Sequence, residues 1–482
     1  MPGCDQLITG ARVIDGGGGN SRFIDVAIDR DRICAVGDLG DWQADLRIDA
    51  DGLVLAPGFI DSHTHDDLAA LETPDLAFKL SQGVTTVIAG NCGISLAPLS
   101  PVADLPPPFP LLGEAASFRY PSVQAYRDAL ARSPCALNLA LLTGHSSLRL
   151  DSMGACLEKA ADAKTLTQMQ DSLRLALHQG SLGLSTGLDY PPALAAPADE
   201  VLQLASVLRE FEGSVYATHM RDEGDRVGEA VAETLDTGRR AQVAVVISHH
   251  KCAGPANYGR SRETLALIDR AREQGQAVSL DVYPYVASST SLLPRFIRDA
   301  ESVLVAESTP HPECNGMMLD RIAAEWKCSL DEACERLYPA AAIYFQIDEQ
   351  DLQRIMVHPA AMIGSDGIAS MQTPHPRLWG TFPRVLGHYV REKRLFDLET
   401  AVHKMTGLSA QKFGLAGRGR IETGAYADLV LFDADRIVDR ASFENPAQIC
   451  DGIDSVWVNG VRSWHDGAPG NARSGLFLAR DG

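Results

Sequence analysis

Eight short runs of nearly continuous apolar residues recur along the chain, at 53–60, 84–89, 137–143, 182–185, 215–218, 243–248, 278–282 and 361–364. This recurrence constrains the fold more than any other feature. A strand that alternates apolar and polar residues has one wet face, whereas a strand apolar throughout is buried on both, the condition of parallel strands covered by helices. Amphipathic stretches such as 226–237 and 262–273 follow most of the runs and supply the covering layer. Eight strand–helix units specify an α/β fold of the TIM (β/α)8 barrel type, closed on itself, rather than an open sheet.

The two chain ends have a different texture. Leu7-Ile8, Arg12-Val13-Ile14, Ile24 to Ile28 and Ile33 to Gly37 are short β-rich runs broken by Gly and Asp, and Ala427 to Phe432 and Ser455 to Gly460 repeat the pattern. We read residues 1–55 and 415–482 as one small β-sandwich built from both ends, and 56–414 as the barrel. Gly16 to Gly19 is a glycine run with no Lys-Ser/Thr after it, so it reads as a flexible turn and not a phosphate loop. The strand–helix spacing breaks once, over 286–359, with helical pieces near 317–326 and 330–337. So long a segment between the seventh and eighth strands predicts a lid or small subdomain over the site, with a peripheral decoration as the plainer alternative.

A formal net charge of −20 disfavours nucleic acid and anionic membrane as partners. The N-terminal residues lack a basic region followed by an apolar core, and no apolar run approaches the ~20 residues of a membrane helix. Ten scattered cysteines read as reduced thiols of a cytoplasmic protein. The sequence carries no signature of an oligomeric state.

The chemistry collects where the runs end, the face on which barrels of this kind carry their active sites. His63-Thr64-His65 follows the first run, and in an extended segment residues two apart share a face, so both imidazoles can reach one ion. Asp61 and Asp66-Asp67 flank the pair and are candidates for orienting the rings. Cys92 lies beyond the second run in Gly90-Asn91-Cys92-Gly93. His219 ends the fifth, His249-His250-Lys251 follows the sixth, and Asp366 follows the eighth. Any one of these alone is more simply a satisfied buried polar group. Together at one barrel mouth they form a metal-ligand set, and a thiolate among imidazoles suits zinc better than magnesium or calcium. Asp366 is positioned to move a proton between a water and a leaving amine.

Gly58 to His65, Gly83 to Val87 and Asp428 to Val430 resemble the strand-one, strand-two and returning sandwich phrases of the amidohydrolase superfamily. Gly90 to Gly93, Gly183 to Leu188, Thr218 to Glu223, Ser248 to Lys251, Asp281 to Tyr285 and Gly364 to Gly367 resemble the D-aminoacylase (N-acyl-D-amino-acid deacylase) family over nearly the full length. The resemblance implies that Cys92, His219 and His249 hold one tight zinc. It implies that His63 and His65 line a second, weaker metal site, and that Asp366 is the catalytic acid/base. Many superfamily members bridge two metals with a carboxylated lysine after strand four. Leu184 to Leu188 contains none, which argues against the hydantoinase and dihydroorotase branches.

The resemblance further implies that Lys251, Tyr283 and Arg295 receive the α-carboxylate of an N-acyl-D-amino acid, whose amide bond zinc chemistry would hydrolyse. A cationic pair with a phenol is a sensible carboxylate receptor. The preference for the D hand comes from the resemblance alone, and the side-chain class is not legible. Arg377 could reach an acidic side chain, but we favour bracing of the loop after Asp366. The alternatives are another amidohydrolase, acting on cyclic amides or dipeptides, and a non-catalytic barrel with a degenerate site.

Overall fold

The computed structural model describes residues 2–480. Eight parallel strands form the barrel: β1 (Phe59–Asp61), β2 (Val84–Ala89), β3 (Asn138–Leu141), β4 (Gly183–Gly187), β5 (Val215–His219), β6 (Ala244–Ile247), β7 (Val278–Val282) and β8 (Ala361–Ile363). β1 to β3 pair in order, and a second ladder runs from Thr143–Gly144, the continuation of β3, through β4 to β8. The ring closes where Ser62 Oγ donates to Ile363 O at 2.9 Å and Thr64 bridges Gly367. Ile60, Ile88, Ala140, Ala217, Val246 and Met362 fill the barrel interior, with Leu408 and Phe413 of the helix Gly407–Phe413 packed against them.

The covering helices show why the amphipathic stretches bury one face. In the helix Val227–Ala241 the buried positions include Val227, Ala230, Val231, Thr234, Leu235, Gly238 and Ala241, a spacing of three and four, with Thr237 beside them. Each buried Val or Leu contributes roughly 1.5–3 kcal/mol. Gly238 lets the helix meet β6 closely, since a Cβ there would stand 2.1 Å from Val245.

One apolar run divides. Val54–Pro57 belongs to a seven-stranded sheet of the sandwich, pairing antiparallel with Leu429–Phe432, and only Phe59 begins β1. The chain passes between the two sheets at Gly58, where a Cβ would lie 2.1 Å from the Thr85 side chain. Both halves are buried, so apolar continuity alone hides the break. The seven-stranded sheet interleaves strands from both chain ends, while a four-stranded sheet uses residues 3–49 only. Ile8, Val26, Ile28, Leu55, Leu429 and Trp457 pack between them. The C-terminal tail leaves this sandwich: Leu139 N donates to Leu476 O at 2.9 Å and Leu478 N to Leu139 O at 2.8 Å, so the tail lies along β3.

Between β7 and β8 the strands Ala287–Ser291, Ser302–Ser308 and Ala340–Phe345 form an antiparallel sheet, backed by the helices Leu319–Trp326 and Leu330–Leu337. The second helix starts at a capping box of Ser329 and Glu332. Leu292, Val305, Ile322, Leu337 and Tyr344 give the insertion its own core. Among the described residues no helix is long and apolar enough to cross a membrane.

Candidate metal and substrate site at the barrel mouth

The candidate donor side chains sit at the end of a barrel strand, as His219 does, or just past one. Cys92, His249 and Asp366 have φ of 52°, 35° and 51°. Left-handed backbone at non-glycine residues is costly and collects at functional sites. Here it turns three side chains toward one point. Cys92 Sγ stands 3.3 Å from His63 Nε2 and 3.2 Å from His249 Nε2. Two donor groups result, His63–His65–Cys92–Asp366 and Cys92–His219–His249, with the donor atoms of each within 4.8 Å of one another and Cys92 common to both. All six residues are buried. His219 has neither ring nitrogen hydrogen-bonded, and His65 Nδ1 is also without a partner, among the described residues.

The electrostatics suit a cation. Burial would push the Cys92 thiol up, but His63 and His249 hold it well below its ordinary value, so the ligand form is the thiolate. Burial would lower His63 and His65, yet Asp281 and Cys92 raise His63 well above its usual range, and Asp366 with Cys92 takes His65 up to about 9. Asp366, despite burial, is held well below the carboxylate range by Arg377 and His63. With the imidazoles in the neutral form in which they bind a metal, Cys92, Asp366, Asp281 and Glu223 bring four negatives against the two positives of Lys251 and Arg377. The surplus of two matches one divalent ion, and soft sulfur beside imidazole nitrogen selects zinc-like chemistry.

The carboxylates that orient the rings are not the ones beside them in sequence. Asp281, at the fourth position of β7, lies 3.1 Å from His63 Nδ1 and accepts the His249 backbone N–H at 2.8 Å. Glu223 lies 3.0 Å from His249 Nδ1. Asp61 instead takes Lys79 Nζ at 2.7 Å and the Ser365 N–H at 2.7 Å, fastening the ends of β1 and β8 together. Asp67 accepts Leu96 N, and Asp66 sits 3.3 Å from Lys79. A carboxylate inside the apolar β7 run is a legible signal, because a buried charge requires a partner. His250 points away, to Thr264 Oγ1 at 2.8 Å, and burial lowers it to about 4.

A cavity of about 250 Å³ opens over the cluster. Lys251, Tyr283, Arg295 and Asp366 line it, together with residues of the insertion. The Tyr283 hydroxyl and Arg295 Nε and Nη2 have no hydrogen-bond partner among the described residues. Arg295 Nη2 stands 3.2 Å from Asp189 Oδ1. Lys251 is engaged already, with Nζ 2.7 Å from both Glu223 oxygens and 2.9 Å from His249 Nδ1. Arg377 is buried behind the cavity wall, 3.0 Å from Asp366 Oδ2 and 3.1 Å from Ser289 O, the bracing position.

Residues 47–294 and 332–463 match the amidohydrolase family. The chain is 49% identical to a D-aminoacylase of Alcaligenes xylosoxydans xylosoxydans, over 99% of this chain and 98% of that protein. It is 48% identical to an N-acyl-D-glutamate deacylase of the same organism, over 99% and 97%. It superposes with a TM-score of 0.95 on an N-acyl-D-glutamate deacylase from Bordetella bronchiseptica, solved with zinc and a phosphonate mimic of the tetrahedral intermediate, at 47% identity and 99% coverage of each chain.

Proposed function

The chain belongs to the amidohydrolase family, and on that premise we propose that it hydrolyses the amide bond of N-acyl-D-amino acids, releasing a carboxylate and a free D-amino acid. The observation that carries the reading is the pair of donor groups sharing Cys92 beneath a cavity lined by the Arg295 guanidinium, paired with Asp189, and by the Tyr283 hydroxyl, which has no hydrogen-bond partner among the described residues. The D hand is carried over from the relatives.

Cys92, His219 and His249 would hold one zinc, and His63 and His65, with Cys92 shared, a second, weaker one. Zinc so held supplies water activation and polarises the scissile carbonyl. The protein's own groups do the rest. Asp366 is ionised, the state in which a base must start, and takes the proton of the attacking water before handing it to the departing nitrogen. Glu223 and Asp281 fix the ring orientations of His249 and His63. Arg295 and Tyr283 receive the α-carboxylate, and Lys251, held by Glu223, adds positive potential beside them. Burial, against the pull of Lys251 and Arg377, keeps the Tyr283 phenol protonated by lifting it to about 12, so it donates. The insertion acts as a wall of the substrate site. A cytoplasmic, reducing location fits ten unpaired cysteines.

The test is hydrolysis of N-acetyl-D-amino acids by zinc-loaded protein beside their L enantiomers and beside hydantoin and dihydroorotate. Turnover confined to the D series supports the reading, and turnover of the cyclic amides alone overturns it.

A further inference from the structure

The barrel closes where β1 meets β8, and two parts of the chemistry stand on opposite sides of that seam. His63 and His65 follow β1 and Asp366 follows β8, with Asp366 Oδ1 3.5 Å from His63 Nε2 and 3.3 Å from His65 Nε2. The ladders stop at the seam, since β1 belongs to a three-stranded ladder and β8 to a six-stranded one. Backbone bonds join the ends locally, Ser62 N donating to Ile363 O at 3.4 Å and Asp366 N to His63 O at 2.8 Å. Side chains must do the rest of the fastening.

Lys79 reaches both sides of it. This residue of the short helix Ala77–Leu80 is wholly buried, and its Nζ donates to Asp61 Oδ2 at 2.7 Å, at the end of β1, and to Ser365 Oγ at 2.8 Å, beside Asp366. Asp61 Oδ1 accepts the Ser365 backbone N–H at 2.7 Å, and Gly367 N donates to Ser365 Oγ at 3.1 Å. Ser365 and Gly367 bracket Asp366, so its backbone is gripped on both sides while it keeps a φ of 51°. Left-handed backbone at a non-glycine residue persists where the surroundings over-determine it. The segment that carries Lys79 is itself pinned: Gln82 Nε2 donates to Leu378 O at 2.8 Å, and Gln82 Oε1 accepts Phe382 N at 3.2 Å.

Stability alone is a poor reason for this arrangement. Taking an ammonium out of water is costly, and well-packed apolar side chains in place of a buried ion pair are often as stable. What the pair supplies is geometry, and a misplacement of about 1 Å at a reacting group can cost about 100-fold in rate. We propose that Lys79 and Ser365 are positioning residues for Asp366, setting its distance from the metal ligands across the β1–β8 seam. Neither lines the cavity, so both act through Asp366 and not on substrate. This inference rests on the deacylase reading above, in which Asp366 carries the proton.

The experiment is a double-mutant cycle in zinc-loaded enzyme, on whichever of N-acetyl-D-Met and N-acetyl-D-Glu the parent turns over faster. Ser365→Ala removes the hydroxyl and leaves the pair of Lys79 and Asp61 in place. It is expected to lower kcat by about 10- to 100-fold with KM changed by less than about 3-fold. Zinc content by elemental analysis and the thermal midpoint should stay near those of the parent. In an Asp366→Asn background the same substitution should cost less than about 2-fold, because the group it positions is gone. Lys79→Met should show the same pattern, and if it does not fold the Ser365→Ala cycle decides alone. A near-parent kcat in either folded single variant, equal losses with and without Asp366, or loss of zinc in Ser365→Ala would overturn the inference while leaving the deacylase reading intact. No turnover of either substrate by the zinc-loaded parent would remove that reading and this one with it.

Discussion

Arg377 and Asp366 form a buried pair across 3.0 Å, with the guanidinium 1% exposed and no other acid within ion-pair distance of it among the described residues. The pair explains how a carboxylate can stay ionised at the bottom of a closed barrel mouth beside a cluster that is already negative. Arg377 donates also to Ser289 O at 3.1 Å, so the same cation ties the loop after β8 to the insertion.

Removing the base should therefore separate chemistry from metal binding. Asp366→Asn keeps shape and loses the proton acceptor, and kcat should fall by about 10²–10⁴-fold, the usual worth of positioned proton transfer. Zinc at Cys92, His219 and His249 should remain. Arg377→Met should also lower kcat, because Asp366 then loses the neighbour that keeps it ionised. A near-normal kcat in Asp366→Asn would show that another group takes the proton.

Cys92 is common to both donor groups, and this makes stoichiometry informative. Cys92→Ala should strip the protein of tightly held zinc and lower the thermal midpoint of the metal-treated sample. His63→Ala should leave the tight zinc in place and remove only a weaker, second equivalent. Elemental analysis of dialysed protein reads both. A full equivalent of zinc retained by Cys92→Ala would mean the metal sits elsewhere.

That His63, His65, Cys92, His219, His249 and Asp366 come together was legible in the sequence because each follows or ends an apolar run, and a strand end at a barrel mouth is a place chemistry can collect. Their holders were less so. Glu223 is a conspicuous acid in Thr218 to Glu223, but that it reaches back to both His249 and Lys251 depends on where β5 and β6 leave the barrel. Lys251 consequently reads as a free substrate contact in the sequence and is a paired cation in the fold. The division of the first run at Gly58 and the docking of Leu476–Leu478 on β3 escape for a related reason, since burial is the same on either side of a sheet boundary.

Away from the metal cluster, Glu200 carries a buried network at the outer end of β3: His145 Nε2 lies 2.9 Å away, Ala161 N 3.0 Å, and Arg149 pairs with the same oxygen as His145. Burial would raise this carboxyl, but His145 and Arg149 bring it down to about 2 from 4.5. A depressed folded value means stability that is present above the unfolded value and lost as pH falls through the folded one, here between about 4.5 and 2. Burial lowers His145 in turn, so at neutral pH Arg149 is the charged partner of Glu200 and carries the ion pair. Glu200→Gln should be less stable than the parent at pH 7 in denaturant titrations, with the gap closing as pH drops toward 2. A gap independent of pH would assign the loss to packing instead.

The substrate clamp gives the sharpest contrast between two cations of one cavity. Arg295 has only Asp189 as an ion-pair partner, at 3.2 Å, and contacts neither donor group, whereas Lys251 Nζ lies 2.9 Å from His249 Nδ1 and is bound to Glu223. Losing one partner of a desolvated charge pair costs on the order of 2–5 kcal/mol. Because the Arg295 side chain is 32% exposed, water compensates part of the loss, and the low end of that range applies. Arg295→Ala should thus cut kcat/KM for an N-acetyl-D-amino acid by roughly 30-fold or more. Its effect on the corresponding amide, whose carboxylate is blocked, should be small, and its zinc content should be unchanged. Lys251→Ala should impair both substrates and loosen the metal, since it frees Glu223 and the ring of His249 together. Equal losses on acid and amide substrates in Arg295→Ala would show that Arg295 supports the insertion through Asp189 and does not receive the α-carboxylate.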